Sequence, residues 1–264
     1  MNIFIRELRA HRKSLIIWSV AILFTIVSSM AKFTSYVESG QSLNQIMSTI
    51  PKTIRAVLGM GNFDLTKASG FYGMLYLYML LMATIHASLL GANIISKEER
   101  DKTTEFLMVK PVSRSKIITS KLLAAFFNII VFNVVTLVLS IAVVGKYANG
   151  EQITDDIVIL MIGMFVLQMV FLSIGTGIAA ASRNSKAAPT AATVILLVSF
   201  VLSSAISMNS RLEGLKYITP FKYFEAENLL NGGIQPVYVI LSSVIIGVMI
   251  CITYVFYKKR DLNV

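Results

Sequence analysis

Six stretches of this chain contain no Asp, Glu, Lys or Arg: residues 15–31, 71–95, 122–144, 157–181, 189–208 and 236–257. About 20 helical residues cross the ~30 Å hydrocarbon core of a bilayer, so each stretch is long enough to span. The expected fold is therefore an all-α integral membrane protein with six transmembrane helices. Charged residues make up 14% of the chain, against about 25% in soluble domains. In a soluble protein the net charge of +10 would suggest nucleic acid; here it reads as membrane topology, and no nucleic-acid partner is expected. Cys251 is the single cysteine, so there is no disulfide framework and no CxxC metal pattern. Residues 15–31 lack a small-residue cleavage site near their end and are expected to stay as a span rather than a cleaved signal.

The charge omitted from the spans collects between them. Residues 96–121 hold Lys97, Arg100, Lys102, Lys110, Arg114, Lys116 and Lys121. Basic loops stay cytoplasmic, so this loop sets the orientation of the chain. The second span should run on as helix into Lys97, Glu98 and Glu99. Asp101 or Thr103 then suits the N-cap of a short crosspiece carrying Glu105, Phe106, Leu107 and Val109. Pro111 ends the crosspiece and holds Lys110 out of helical geometry. Ser113 caps the next helix, which passes through Ile117, Ile118 and Lys121 into the bilayer. A solvated loop that merely joins two spans fits the same composition.

The remaining segments follow in order. Residues 1–14 place Ile3, Phe4 and Leu8 at helical spacing among Arg6, Arg9, Arg12 and Lys13. They suit either an amphipathic helix lying on membrane lipid or a basic flank anchoring the first span. Trp18 is expected near an interface. Residues 32–70 form a long outer loop with an apolar stripe through Leu43, Ile46, Met47, Ile50, Ile54, Val57 and Leu58, interrupted by Pro51. Residues 209–235 are too polar to span and, with Tyr217, Phe221, Tyr223 and Phe224 around Pro220, too aromatic for a free loop. They suit an interfacial or re-entrant segment packed in protein. This topology puts 16 of the 24 Lys and Arg inside and the rest outside, so both termini are expected to be cytoplasmic.

No catalytic, cofactor or metal site emerges. A GxxxxGK[ST] phosphate loop is absent, and His11 and His86 sit in different elements. His86, Asn93, Asn128, Asn133 and Gln168 are polar positions within spans. They are expected either to line a pathway or to tie neighbouring helices together, His86 as a neutral imidazole bonded to another helix. Small residues recur every fourth position at Thr84, Ser88, Ala92 and Ser96; at Ser173, Gly177 and Ala181; and at Ser243, Gly247 and Cys251. Such faces let helices approach closely.

The loop residues also carry a resemblance. Glu98–Glu99, Thr103–Thr104–Glu105, Leu107, Pro111–Val112–Ser113–Arg114 and Lys121 resemble the central motif of ABC-2 type transporter permeases. That motif has paired acids, a Gly-Thr pair, a leucine-rich short helix, Pro-x-Ser-Arg and a later Lys. Thr103 stands where Gly is usual, which alters the helix start. The basic N-terminus, Gly91, Thr219–Pro220–Phe221 and the six-span layout are similar to the same group. Within that group the chain resembles in particular single-domain bacterial members related to the nitrous-oxide-reductase maturation permease.

The resemblance implies a permease subunit in the bacterial cell membrane. It would form a homodimer or a heterodimer with a related permease, and be driven by a separate cytoplasmic ABC ATPase that binds ATP and Mg2+. The chain itself would be no enzyme and hold no cofactor. Residues 1–14 would be the family's elbow helix, with Arg6, Arg9 and Arg12, and residues 96–121 the coupling loop. Contact with the ATPase falls to Glu98, Glu99, Thr104, Glu105, Phe106, Leu107, Pro111 and Arg114; the acids can pair with it or with Arg6, Arg9 and Arg12. Two other classes compete. A non-transporting anchor or sensor would recruit a cytoplasmic protein through residues 96–121. A secondary transporter or channel fits least well, because the spans lack ionisable Asp, Glu, Lys and Arg and show no evident inverted repeat with broken helices.

Overall fold

The computed structural model describes residues 3–38, 49–51, 54–55, 58–61, 63–103, 112–148 and 150–259. The described chain is helical, with no strands. Six long helices account for the apolar stretches: α1 (Ile3–Glu38), α2 (Ala68–Arg100), α3 (Arg114–Val144), α4 (Thr154–Ala181), α5 (Ala188–Met208) and, after a short α6 (Ala226–Gly232), α7 (Pro236–Lys259). Each of the six is long and apolar enough to cross a membrane. Even the shortest, α5 with 21 residues, reaches about 31 Å at ~1.5 Å per residue. Two 3-10 helices, Ser210–Tyr217 and Pro220–Phe224, lead from α5 to α6.

Helices α2 and α4 form the centre. Each has 61% of its most apolar window buried, against 11% for α7 and 17% for α1. Their contact is the most extensive in the bundle and rests on glycine. A Cβ on Gly91 would run into the carbonyl of Leu172, and one on Gly175 would come within 2.5 Å of the Ser88 carbonyl. Lipid tails are as apolar as the side chains, so close backbone packing, rather than escape from water, holds such helices together. Gly177 on another face of α4 receives Met249 of α7. Outside this pair, α1 lies on α3, α5 on α2 and α4, and α7 on α4. The expected stripe Ser243–Gly247–Cys251 faces outward instead: all three are exposed, and nothing lies within 4 Å of a Cβ on Gly247. The opposite face of α7, with Ser242 and Thr253, is the buried one.

Residues 3–14 are the first turns of α1 itself, continuous with the span. Trp18 packs against His86 of α2, ring centroids 5.8 Å apart. The 209–235 segment folds back into protein. Phe221 packs between Phe171 and Phe200, with centroids 5.1 and 5.4 Å away. Tyr223 stacks on Tyr238 at 4.9 Å and donates to the Tyr217 carbonyl. Thr219 donates to the Ser199 carbonyl at 2.7 Å, fastening the segment to α5. In residues 32–70 the stripe positions Leu43, Ile46, Met47 and Val57 lie outside the described residues; Ile54 and Arg55 are helical and bond back to the Pro51 carbonyl.

The glycine contact gives a paired test. Gly91→Val should lower the stability of the purified protein by about 1–3 kcal/mol, the usual cost of overpacking. Gly247→Ala should stay within about 0.5 kcal/mol of wild type. Thermal melts in detergent compare them; equal melting temperatures would remove the close approach from this account.

Candidate functional site

Both ends of the charged loop meet at one point on α1. Helix α2 ends at Arg100 in a C-terminal cap. The Thr103 amide donates to the Glu98 carbonyl at 2.8 Å and the Lys102 amide to the Glu99 carbonyl at 3.2 Å, while Lys102 turns left-handed at φ 55°. This paired pattern closes a helix end around a left-handed residue. Asp101, Lys102 and Thr103 therefore close α2; the expected crosspiece after them lies outside the described residues. Ser113 does cap α3, its hydroxyl accepting from the Lys116 amide at 3.3 Å. That start puts Ile117, Ile118 and Lys121 on one buried face of α3, as three- and four-residue spacing requires.

Lys121 and Glu7 are wholly buried, and Glu98 is 8% exposed at its side chain. The Lys121 ammonium pairs with Glu98 and donates to the Ile94 carbonyl at 2.6 Å. Lys97 pairs with Glu7. Arg6, 30% exposed, bridges the two acids, donating to Glu7 at 2.9 Å and to Glu98 at 3.0 Å. The His11 ring is 3.9 Å from Glu7, beyond hydrogen-bond reach. One wholly buried cation, Lys121, and one half-buried, Lys97, thus face two buried anions, with Arg6 at the rim. A lone buried charge costs several kcal/mol, which only well-formed pairs offset. The set ties α1, α2 and α3 together and pins the base of the loop, since Glu98 precedes it and Lys121 follows it.

The other expected site residues are spread around this junction. Thr104, Glu105, Phe106, Leu107 and Pro111 lie outside the described residues. Glu99 is half-buried on the last turn of α2. Arg114 donates to the Lys258 carbonyl at 3.0 Å, at the negative end of α7 where a cation is favoured. Of the three α1 arginines, Arg6 reaches Glu98, whereas Arg9 and Arg12 are exposed.

The span amides divide. Asn133 on α3 pairs with Gln168 on α4, and Gln168 donates to the Ala83 carbonyl on α2 at 3.2 Å, joining three helices. Asn93 bonds within its own helix, to the Leu89 carbonyl and Arg100. The Asn128 carbonyl oxygen has no partner among the described residues. His86 corrects the expectation of a bonded imidazole. Neither ring nitrogen has a partner among the described residues, and the ring lies between Trp18 and Phe132.

The whole chain, junction included, can be set beside known proteins. A family model described as ABC-2 family transporter protein matches residues 1–262. The chain belongs to the ABC-2 transporter family. No curated protein matches it. As an ABC-2 permease it is a membrane component of an ABC transporter, and membership implies association with a cytoplasmic ABC ATPase. In this permease the charged junction stands directly behind the loop that carries the family resemblance.

Sequence reasoning missed Glu7. A signal existed: Glu7 is the sole acid before Glu38, set among arginines and histidine. An acid on a basic flank, four residues after the buried Ile3, shares its inward face.

The pairing predicts non-additive mutants. Glu98→Gln leaves Lys121 buried without its carboxylate, and Lys121→Met leaves Glu98 with Arg6 alone. Each should cost about 3–5 kcal/mol. The double variant should cost less than the sum of the two, because neither charge is then stranded. Denaturant titrations in mild detergent read the cycle; strictly additive losses would show that the two side chains act independently.

Proposed function

We propose that this ABC-2 permease is the transmembrane half of an exporter, driven from the cytoplasm through residues 96–121. It works as a homodimer, or as a heterodimer with a related permease, above two ATPase subunits. Those subunits bind ATP and Mg2+; this chain has no phosphate loop. The basic excess of residues 96–121, 182–188 and both ends of the chain supports a cytoplasmic position for the loop and both termini. The single-domain bacterial permeases that the chain resembles support export and the bacterial cell membrane.

The observation that carries the coupling is the pinned base of the loop. A groove on the ATPase takes Phe106 and Leu107, with Glu105 beside them and Pro111 setting the corner. Full burial of one such side chain contributes about 1.5–3 kcal/mol. Because Glu98 and Lys121 are paired, and Arg6, Glu7 and Lys97 fasten them to α1, displacement of the loop moves α1, α2 and α3 together. The bundle then switches between two packings of similar energy, opening alternately to each side.

Two measurements test this. Leu107→Asp should insert normally yet lose ATPase co-purification and the coupling of ATP hydrolysis to transport. Wild-type co-purification and coupling in that variant would overturn the docking of residues 104–111. In a Cys251→Ser background, a membrane-impermeant maleimide added outside should label Lys67→Cys and Gly214→Cys but not Lys102→Cys. External labelling of Lys102→Cys would reverse the topology.

A further inference from the structure

At the end of the bundle opposite the charged junction, the structure contains a cavity of about 430 Å³. That volume lies within the ~300–1,000 Å³ range of small-molecule sites. One wall is α2, through Gly73, Leu77 and Leu80. The second wall is α5, where Phe200, Ser203, Ser204 and Ser207 recur at three- and four-residue spacing and present one face. The third is the folded-back segment, through Phe221, Lys222 and Glu225.

Its lining combines apolar and charged groups. Leu77, Leu80, Phe200 and Phe221 make an apolar floor. Toward the rim, the Lys222 ammonium donates to Glu225 at 2.8 Å and to the Ser207 hydroxyl at 2.7 Å, its side chain 14% exposed. Arg55 also lines the cavity, and its buried Nε has no partner among the described residues. Burial raises the Glu225 carboxyl above the ordinary carboxylate range, against the pull of Lys222. Glu227 also lines the cavity, so Lys222 and Arg55 stand among two acidic side chains; an added acceptor meets the Arg55 Nε, which has no partner among the described residues, and a lysine whose own carboxyl partner burial disfavours as an anion.

The space itself is a product of residue size. Three serines stand where the rest of the α5 surface carries Val194, Val198 and Val201. Larger side chains at those positions would close the cavity. Away from the cavity, Met79, Phe171 and Phe224 are almost wholly buried, as close packing of an interior requires.

We propose that this cavity binds an amphipath with a carboxylate or phosphate head, the head at Lys222 and Arg55 and the apolar body on the phenylalanine and leucine floor. The site needs neither the exporter reading nor the ATPase. Its occupant comes either from the bilayer, as an anionic phospholipid, or from outside it, as a free acid; the same groups read both.

The test uses the full-length protein in phosphatidylcholine nanodiscs and a fatty acid bearing a diazirine in its chain. Photolabelling should be saturable and map to residues 200–207 and 221–226. Lys222→Gln should weaken half-saturation about tenfold, the effect of losing one charge-assisted hydrogen bond. Ser204→Phe, which fills the cavity from α5, should abolish the saturable component. Both variants should still co-purify with the ATPase, which separates loss of the site from failure of the coupling. Competition by excess phosphatidylglycerol, but not by a shorter free acid, would identify a bilayer lipid as the occupant; the reverse would identify a free acid. Labelling confined to the outward face at Val194, Val198 and Val201, unchanged in both variants, would overturn the proposal.

Discussion

The Lys121 ammonium has no exposed surface and cannot be left alone. Its pairing with Glu98 and its bond to the Ile94 carbonyl fix the rotation of α3 against α2. Glu98 in turn shares Arg6 with Glu7, and Glu7 takes Lys97. Three helices therefore have one permitted depth relative to each other at this end. Apolar burial could not supply that in a membrane, because a lipid-facing leucine and a helix-facing leucine are nearly equivalent. Farther along, the same task passes to directional or close contacts: Asn133 with Gln168, Tyr72 donating to Ser140 at 2.7 Å, and the glycines between α2 and α4. At the far end the folded-back aromatics take over.

Much of this was legible from the sequence for one reason: the spans exclude charge. Windows free of Asp, Glu, Lys and Arg mark the six helices, and a serine ahead of Lys116 marks the start of α3. Helix ends were harder. Asp101 and Thr103 read as openers of a helix, but nothing in the letters marks Lys102 as left-handed or shows that these residues also close α2. Pairing was hardest. Periodicity tells which face of a helix is buried, not what it meets. His86 looks like a polar group seeking a bond, yet its neighbours are Trp18 and Phe132 from two other helices. The stripe on α7 has the spacing of a packing face, but Met249 and Thr253 on the other side make the contact with α4.

The nature of the junction also limits how the loop can act. Burial of apolar surface is non-directional, so a base built from leucines would resist separation while allowing α2 and α3 to slide past one another. Charge-assisted hydrogen bonds specify distance and angle. With Glu98 and Lys121 paired, sliding α2 past α3 by even half a helical turn would leave the Lys121 ammonium buried without its carboxylate and Glu98 with Arg6 alone, which is costly in a low-dielectric interior. The loop therefore has a stiff footing, and force applied to it is not dissipated between its two flanking helices. What compliance the bundle has must lie elsewhere, between the α1–α2–α3 group and the helices joined to it by apolar contact. Among the described residues, α5 fits that description: its buried positions include Ala188, Ala192, Leu196 and Ile206, and it has no charged side chain with which to hold its register. The cavity borders the same helix, so the seam most able to move is also the one that encloses space.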